Sequence, residues 1–511
     1  MESAFLEKAG ALAPRLHHTR VRPRRTVDIL PAPRAPQGLR AVTVLAAGEI
    51  PGTVFANGDR VVLDFGRHLV GRPTFRFSPV GGPQDSPLRL RLVFGENLCE
   101  IADTEDYHGS LSSSWLQEEI VNVDCIALPC TLPRRYAFRY LSIEMIGTRT
   151  AYRARLDEVY ATAETSADVR SLRRVSFRDP LLQKIDRIGC ATLRDCMQSV
   201  FEDGPKRDRR LWIGDLRLQA LANYETYDDL FLVRRCLYLF AGLPREDGRV
   251  SVCIFHEPVL QNDPWVLWDY ALFFIGTLYD YYKHTGDREF LRELWPTARR
   301  QAELVLGLCG DDGLFEKLSV FVDWQRALHK RTAAHGIAVR GLSRAAELAR
   351  ELEDPCAGRF AEAAEKIGRA AVNAFYRPAE GLFASGEEEQ FSFASQVWMV
   401  LSGALEPAMA RRVMERTVAC ASRLVPMMTP YMHHYYMEAL LAVGLKEEAL
   451  AHLRTYWGKM ARWGADCFWE TFDPDDADFS TYGDRRMNSY CHAWSCTASY
   501  FLRKYFPEET R

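Results

Sequence analysis

Eight ionisable residues crowd into fourteen positions of the segment FEDGPKRDRRLWIGD: Glu202, Asp203, Lys206, Arg207, Asp208, Arg209, Arg210 and Asp215, with Trp212 among them. Gly204–Pro205 forbids a continuous helix, so the first half reads as a loop and a helix begins near Asp215. Asp215, which follows Gly214, is also an ordinary candidate for a helix cap. Dense charge is often no more than a solvated loop. Here aromatic and aliphatic residues are interleaved with the charges, as at the mouth of a pocket.

Two further stretches carry candidate chemistry. In GADCFWETFDPDD, Glu470 lies between Trp469 and Phe472. A partly desolvated carboxylate is a better proton acceptor near neutrality, which suits a general base. In MNSYCHAWSCTASYFL, His492 and Trp494 stand at the expected opening of the last helix. A lone histidine there is more often structural than functional. The acidic run DPDDADFS reads as a solvated loop rather than a cation site, and Cys491 and Cys496 are too isolated for a metal site. No metal and no cofactor is called for.

The elements that must position these residues change character near residue 165. Before it, short alternating runs (RVVLDFGRHLVG, TFRFSPVGG, LRLRLVFGE and AFRYLSIEMIG) lie between Gly and Pro turn signals and predict a β-sandwich over residues 1–165. The first forty residues, rich in Arg and Pro, read as an extended arm. From Asp179 the apolar spacing becomes helical, with Leu181, Ile185, Ile188 and Leu193 on one stripe. Sequential helix pairs over residues 166–511, without a repeat of fixed period, must bury their stripes together as a toroid, a solenoid or a bundle. Of the 11 Trp, only Trp115 precedes residue 200, and several of the others stand beside acidic residues in loops, which suits sugar rings.

Composition narrows the function. Lys and Arg total 65 against 68 Asp and Glu, a formal net charge of −3, so no broad field attracts nucleic acid or an anionic membrane. No apolar run is long enough to span a membrane, and the N-terminus lacks the continuous apolar core of a secretory signal. The 13 Cys form no pairing pattern and read as reduced thiols in a cytoplasmic protein.

The segment DGPKRDRRLWIGD resembles the loop of the inverting α-L-rhamnosidases of glycoside hydrolase family seventy-eight, D-x-P-x-R-[DE]-x-R-x-x-W-x-G-D with small spacing variants. LDFGRHLVGRPTFRF and LRLVFGENL resemble the family's β-sandwich motif. YKHTGDREFLRELWP resembles its T-G-D junction, and FVDWQ its G-D-W element. The long stretch from MMTPYMHHYY to GADCFWE resembles its T-P-Y…W-G…G-A-T-T-x-W-E block. Five motifs in the family's order cover most of the chain.

The resemblance implies a six-hairpin α/α toroid with its site at one end, preceded by the β-sandwich. By position it places the general acid at Asp208, where the family usually has Glu, and the water-activating base at Glu470. Asp203, Arg207, Trp212 and Asp215 match residues of the rhamnose subsite, Trp324 a stacking residue and His492 a sugar-binding histidine. Trp268 is a looser match, with Trp265 in competition. Asp466 and Cys467 replace the usual Thr-Thr, a departure that bears on substrate preference, and the family's common C-terminal β-domain is not expected. The expected partner is a small rhamnoside or rhamnose-bearing oligosaccharide. A homodimer, a six-hairpin glycosidase or lyase for another sugar, and a non-catalytic glycan-binding protein stay open. Arg207 and Arg209 flank Asp208, and their charge by itself favours its ionised form over a proton donor.

Overall fold

The computed structural model describes residues 2–82, 86–103, 105–123, 127–149 and 153–510. The chain opens with helix α1 (Glu2–Ala11) instead of an extended arm. Phe5 and Ala9, four residues apart, share its buried face, and Phe5 stacks on Tyr238 of the helical region at 5.9 Å. The Arg- and Pro-rich stretch that follows is also ordered, as strands β1 (His17–Val21), β2 (Arg25–Pro31) and β3 (Leu39–Ala46).

Seven more strands complete a sandwich-like sheet region: β4 (Val54–Phe55), β5 (Arg60–Val80), β6 (Leu88–Gly95), β7 (Glu118–Val123), β8 (Cys130–Thr131), β9 (Tyr136–Gly147) and β10 (Arg153–Thr165). The main path runs β1-β10-β5-β9-β6-β7, with β2, β4 and β8 paired onto it and β3 onto β2. β6 shows how the pattern folds: Leu88, Leu90 and Leu92 point inward while Arg89 and Arg91 face out. RVVLDFGRHLVG and TFRFSPVGG, expected as two strands, form the single strand β5. Its register against β9 breaks between Asp64 and Leu69, around Gly66 at φ +76°. A bulge bends the strand there without ending it. A short helix, α2 (Cys99–Ala102), follows β6.

The rest is helical. Six inner helices are α4 (Ile213–Glu225), α6 (Trp268–Thr285), α8 (Arg331–Glu351), α10 (Phe393–Leu401), α12 (Pro430–Ala442) and α14 (Ala498–Tyr505). Six outer ones are α3 (Pro180–Cys196), α5 (Leu230–Gly242), α7 (Arg288–Leu306), α9 (Ala357–Phe375), α11 (Pro407–Ala419) and α13 (Lys446–Arg462). Inner helices are buried over most of their surface, polar residues included, and α4 is buried from Ile213 to Tyr224. Outer helices bury one stripe, as α7 does with Phe290, Leu291, Leu294, Trp295 and Ala298. Neighbours α4, α6, α8, α10 and α12 pack in sequence, α12 meets the turn Ala493–Ser495, and α14 returns to α4, so the ring closes. This is the expected six-hairpin toroid.

The inner helices run the same way. Residues just before α4, α6, α8 and α14 line one cavity, whereas Glu225, His284, Leu401, Ala442 and Tyr505, at the helices' far ends, line another of about 600 Å³.

Candidate active site

The loop between α3 and α4 builds one wall of the first cavity. Asp208 and Arg209 have positive φ, +33° and +57°, so the chain doubles back and sends the two side chains opposite ways. Asp208 stays partly open to the cavity. Arg209 turns toward Arg135 and Glu202, where burial and the Arg135 charge push its guanidinium down to about 10. Lys206 is sequestered, donating to the carbonyls of Arg486 (2.7 Å) and Asn488 (2.8 Å). Strand β11 (Leu211–Trp212) then pairs with β12 (Cys253–Phe255), which pairs with β13 (Gln261–Asn262), and this small sheet sets Trp212 at the mouth. The helix starts two residues before Asp215. That carboxylate caps nothing: its buried Oδ1 has no hydrogen-bond partner.

Glu470 enters from the loop after α13. Its backbone N–H donates to Ser489 O at 2.9 Å, and its carbonyl accepts from Trp494 Nε1 at 2.9 Å. One carboxylate oxygen is ion-paired with Arg207 Nη2, and the other accepts from Tyr482 Oη at 2.5 Å. Arg207 also lies over the Tyr482 ring at 4.5 Å and brings Nη1 within 3.6 Å of Asp208. Arg210, rather than Arg209, is the second arginine near Asp208, at 3.8 Å.

His492 lies between two buried carboxyls, 3.9 Å from Asp203 and 3.7 Å from Asp215. Burial, and then the charges of Asp208 and Asp215, raise Asp203 well above the usual carboxyl range. Burial, then Glu470 and Asp208, do the same for Asp215. Burial and the Arg207 charge hold His492 well below its ordinary value, so the imidazole is neutral. Trp212 Nε1, Arg207 Nε, Asp215 Oδ1 and His492 Nδ1 are buried with no hydrogen-bond partner in the protein. Unpaired polar atoms around a hollow are costly unless a hydroxylated ligand meets them.

Aromatic faces complete the cavity, which measures about 610 Å³. Trp324, 42% exposed, meets Phe321 edge-on at 5.2 Å and Tyr482 at 6.3 Å. The preceding Asp323 fixes it: its carboxylate accepts from Trp324 N (2.9 Å), Met428 N (2.8 Å) and Thr429 Oγ1 (2.7 Å). Thus the FVDWQ and MMTPY segments are one tied unit.

Of the nine residues singled out in the sequence, eight line this cavity: Asp203, Arg207, Asp208, Trp212, Asp215, Trp324, Glu470 and His492. Trp268 does not. It opens α6, its N–H donates to Ser319 O at 2.8 Å, and Arg249 covers its ring at 4.8 Å. Trp265 takes the place instead, stacked on Trp212 at 5.5 Å and 9°. His492 and Trp494 precede the last helix, which begins only at Ala498. Asp466 and Cys467 stand outside the cavity. Asp466 lies 3.5 Å from Arg139 of the sheet region, and Cys467 meets Asp195 at 3.8 Å.

Trp494, noted in the sequence beside His492, also lines the cavity; sequence reasoning passed over Tyr482, Tyr270 and, from the sheet region, Leu111 and Trp115, which line it too. The isolated aromatics of DFSTYGDRR and SSSWLQ were the available signal. Cys491 is less isolated than its spacing suggested: it converges with Cys467 and His68, all buried. His68, however, already has Asp195 on Nδ1 (2.8 Å) and Glu96 on Nε2 (3.0 Å), so both ring nitrogens are engaged. In the acidic run, Asp473 and Asp476 accept from the backbone N–H groups of Asp475 and Asp478, as in ordinary turns.

Two family models match the chain: the glycosyl hydrolase family 78 alpha-rhamnosidase N-terminal domain over residues 23–163, and the bacterial alpha-L-rhamnosidase 6 hairpin glycosidase domain over residues 172–506. Among solved structures, a rhamnosidase from Klebsiella oxytoca with rhamnose bound superposes with a TM-score of 0.95 at 43% identity, covering 98% of both chains. A family 78 rhamnosidase of Bacillus sp. GL1 gives a TM-score of 0.78 at 22% identity, covering 91% of this chain and 49% of its own. A Streptomyces avermitilis α-L-rhamnosidase complexed with L-rhamnose gives 0.66 at 19% identity, covering 91% and 45%. No curated protein sequence matches. A sandwich-like sheet, a closed six-hairpin ring and an acid-lined aromatic cavity therefore coincide with both family models, and the chain belongs to the family 78 α-L-rhamnosidases, a family of glycoside hydrolases.

Proposed function

We propose that this enzyme removes a terminal α-L-rhamnose from a small rhamnoside or oligosaccharide with inversion, Asp208 acting as general acid and Glu470 as general base. The observation that carries the reading is the convergence of Asp208 and Glu470 on one cavity. Arg207 and Tyr482 hold Glu470 there, and Asp208 is left the more open of the two. The structural relative at 43% identity was solved with rhamnose bound. Asp208 donates its proton to the glycosidic oxygen as that bond breaks. Glu470 takes a proton from a water whose oxygen attacks the anomeric carbon from the opposite face. Arg207, ion-paired with Glu470, orients the base.

Neutral His492 and the raised carboxyls of Asp203 and Asp215 supply both donors and acceptors for ring hydroxyls. The free N–H of Trp212 is a further donor, and Trp324 offers a face to the sugar. Asp466 and Cys467 do not touch the cavity, which favours rhamnose over another sugar. Twelve described cysteines are free, in keeping with a cytoplasmic location, and no helix among the described residues is long and apolar enough to cross a membrane.

The test is hydrolysis of p-nitrophenyl α-L-rhamnoside, with the anomer first formed read by proton NMR. Initial release of the β-anomer is expected. Initial α-anomer would refute inversion, and no turnover of this glycoside alongside turnover of another would move the specificity.

A further inference from the structure

We propose that Tyr482 is a positioning residue for Glu470 and that the sheet region, through Asp103 and residues 105–110, holds it in place. The inference rests on reading Glu470 as the base. Tyr482 is buried, its Oη donates to Glu470 Oε1 at 2.5 Å, and its ring lies under Arg207 and against Trp324. A hydroxyl on one carboxylate oxygen and a guanidinium on the other leave that carboxylate a single orientation. Tyr482 itself sits on a loop between Ser480 and Asn488 whose one regular piece is a 3-10 turn at Arg485–Met487 and which groups from outside help to fix.

The fixing groups come from the loop between α2 and β7. The N–H of Ser110 donates to the carbonyl of Tyr482 at 2.7 Å. Arg485 makes a two-pronged pair with Asp103, both arms at 2.7 Å. Arg486 donates to the carbonyls of Asp103 (3.4 Å), Glu105 (2.8 Å) and Asp106 (3.2 Å) while it also grips Asp484. Paired forks of this kind fix direction as well as distance. The path Asp103–Arg485, Ser110–Tyr482, Tyr482–Glu470 is continuous, so the sheet region sets the geometry of the base. A misplacement of about 1 Å in a catalytic group costs on the order of 100-fold.

Tyr482→Phe keeps the ring on Arg207 and removes only the hydroxyl. With p-nitrophenyl α-L-rhamnoside it is expected to lower kcat about 10-fold or more and leave KM within about twofold. Asp103→Ala, far from the sugar, is expected to lower kcat several-fold with KM unchanged. In a Tyr482→Phe background it should add nothing. Likewise Glu470→Gln with Tyr482→Phe should be no slower than Glu470→Gln alone. A Tyr482→Phe enzyme with wild-type kcat beside an inactive Glu470→Gln enzyme overturns the positioning alone. Fully additive losses overturn it as well. A fully active Glu470→Gln enzyme overturns the reading of the base, and this inference with it.

Discussion

Arg207 bridges the two carboxylates of the cavity: Nη2 is paired with Glu470 and Nη1 lies 3.6 Å from Asp208. One planar cation thus fixes two acidic groups that come from opposite ends of the helical region. Arg207→Lys keeps the charge and loses the bridge, because an ammonium is a point charge on a flexible stem. We expect about a 100-fold loss of kcat/KM, the scale of a misplaced catalytic group, with the fold retained by circular dichroism.

Removing either carboxylate separates their roles. Asp208→Asn and Glu470→Gln should each lower kcat by about 10²–10⁴ with the melting temperature close to that of the wild type. An aryl rhamnoside with a very good leaving group needs less help from an acid. The loss in Asp208→Asn should therefore shrink on such a substrate, while that in Glu470→Gln should not.

Buried histidines give the stability an acid limit. Burial lowers His335 to about 4, and His452 likewise to about 4. The unfolded chain takes up these protons near pH 6.5, before the folded chain does. Their cost therefore grows as pH falls from about 6.5 to about 4 and is constant below that. Melting temperature should decline across this window. His335→Gln should flatten the decline, a result read directly by calorimetry at a series of pH values.

His68 works with the opposite sign. Contacts with Cys467, Asp195 and Glu96 outweigh its burial and hold it well above its ordinary value. Its contribution is complete below about pH 6.5 and fades as pH rises through the folded value. The stability gap between wild type and His68→Gln should be widest in acid and narrow on the alkaline side, as denaturant titrations at several pH values would show.

Gly336 tests the ring itself. A Cβ there would meet the Trp398 carbonyl oxygen at 2.4 Å, so α8 and α10 touch backbone to backbone. Gly336→Ala should destabilise by about 1–3 kcal/mol through overpacking. Gly358→Ala, with open space around it, should not destabilise.

What was legible in the sequence follows from locality. Asp203, Arg207, Asp208, Trp212 and Asp215 stand on one short segment, so a single unusual stretch revealed them. Glu470 stood out by its aromatic neighbours, and His492 only as an ambiguous lone histidine; Trp324 needed the family resemblance, because it is an unremarkable residue until its neighbours are known. Tyr482 and the loop at Asp103 were out of reach, since their meeting depends on the conformation of two irregular loops distant in sequence. Trp265 and Trp268 differ by one helical turn. Which of them lines the cavity depends on where α6 begins, a boundary that periodicity places only to within a few residues. Helix α1 was hidden by its basic surroundings, its buried face being only Phe5 and Ala9.

The parallel stack of Trp212 and Trp265, 5.5 Å apart, also gives the cavity an optical signature. Two indoles so close and so nearly parallel couple their electronic transitions. The ultraviolet circular dichroism of the enzyme should therefore contain a band pair that Trp265→Leu abolishes. Occupation of the neighbouring cavity should perturb that band pair, so binding of a rhamnoside in a Glu470→Gln enzyme can be followed without turnover and without an added dye.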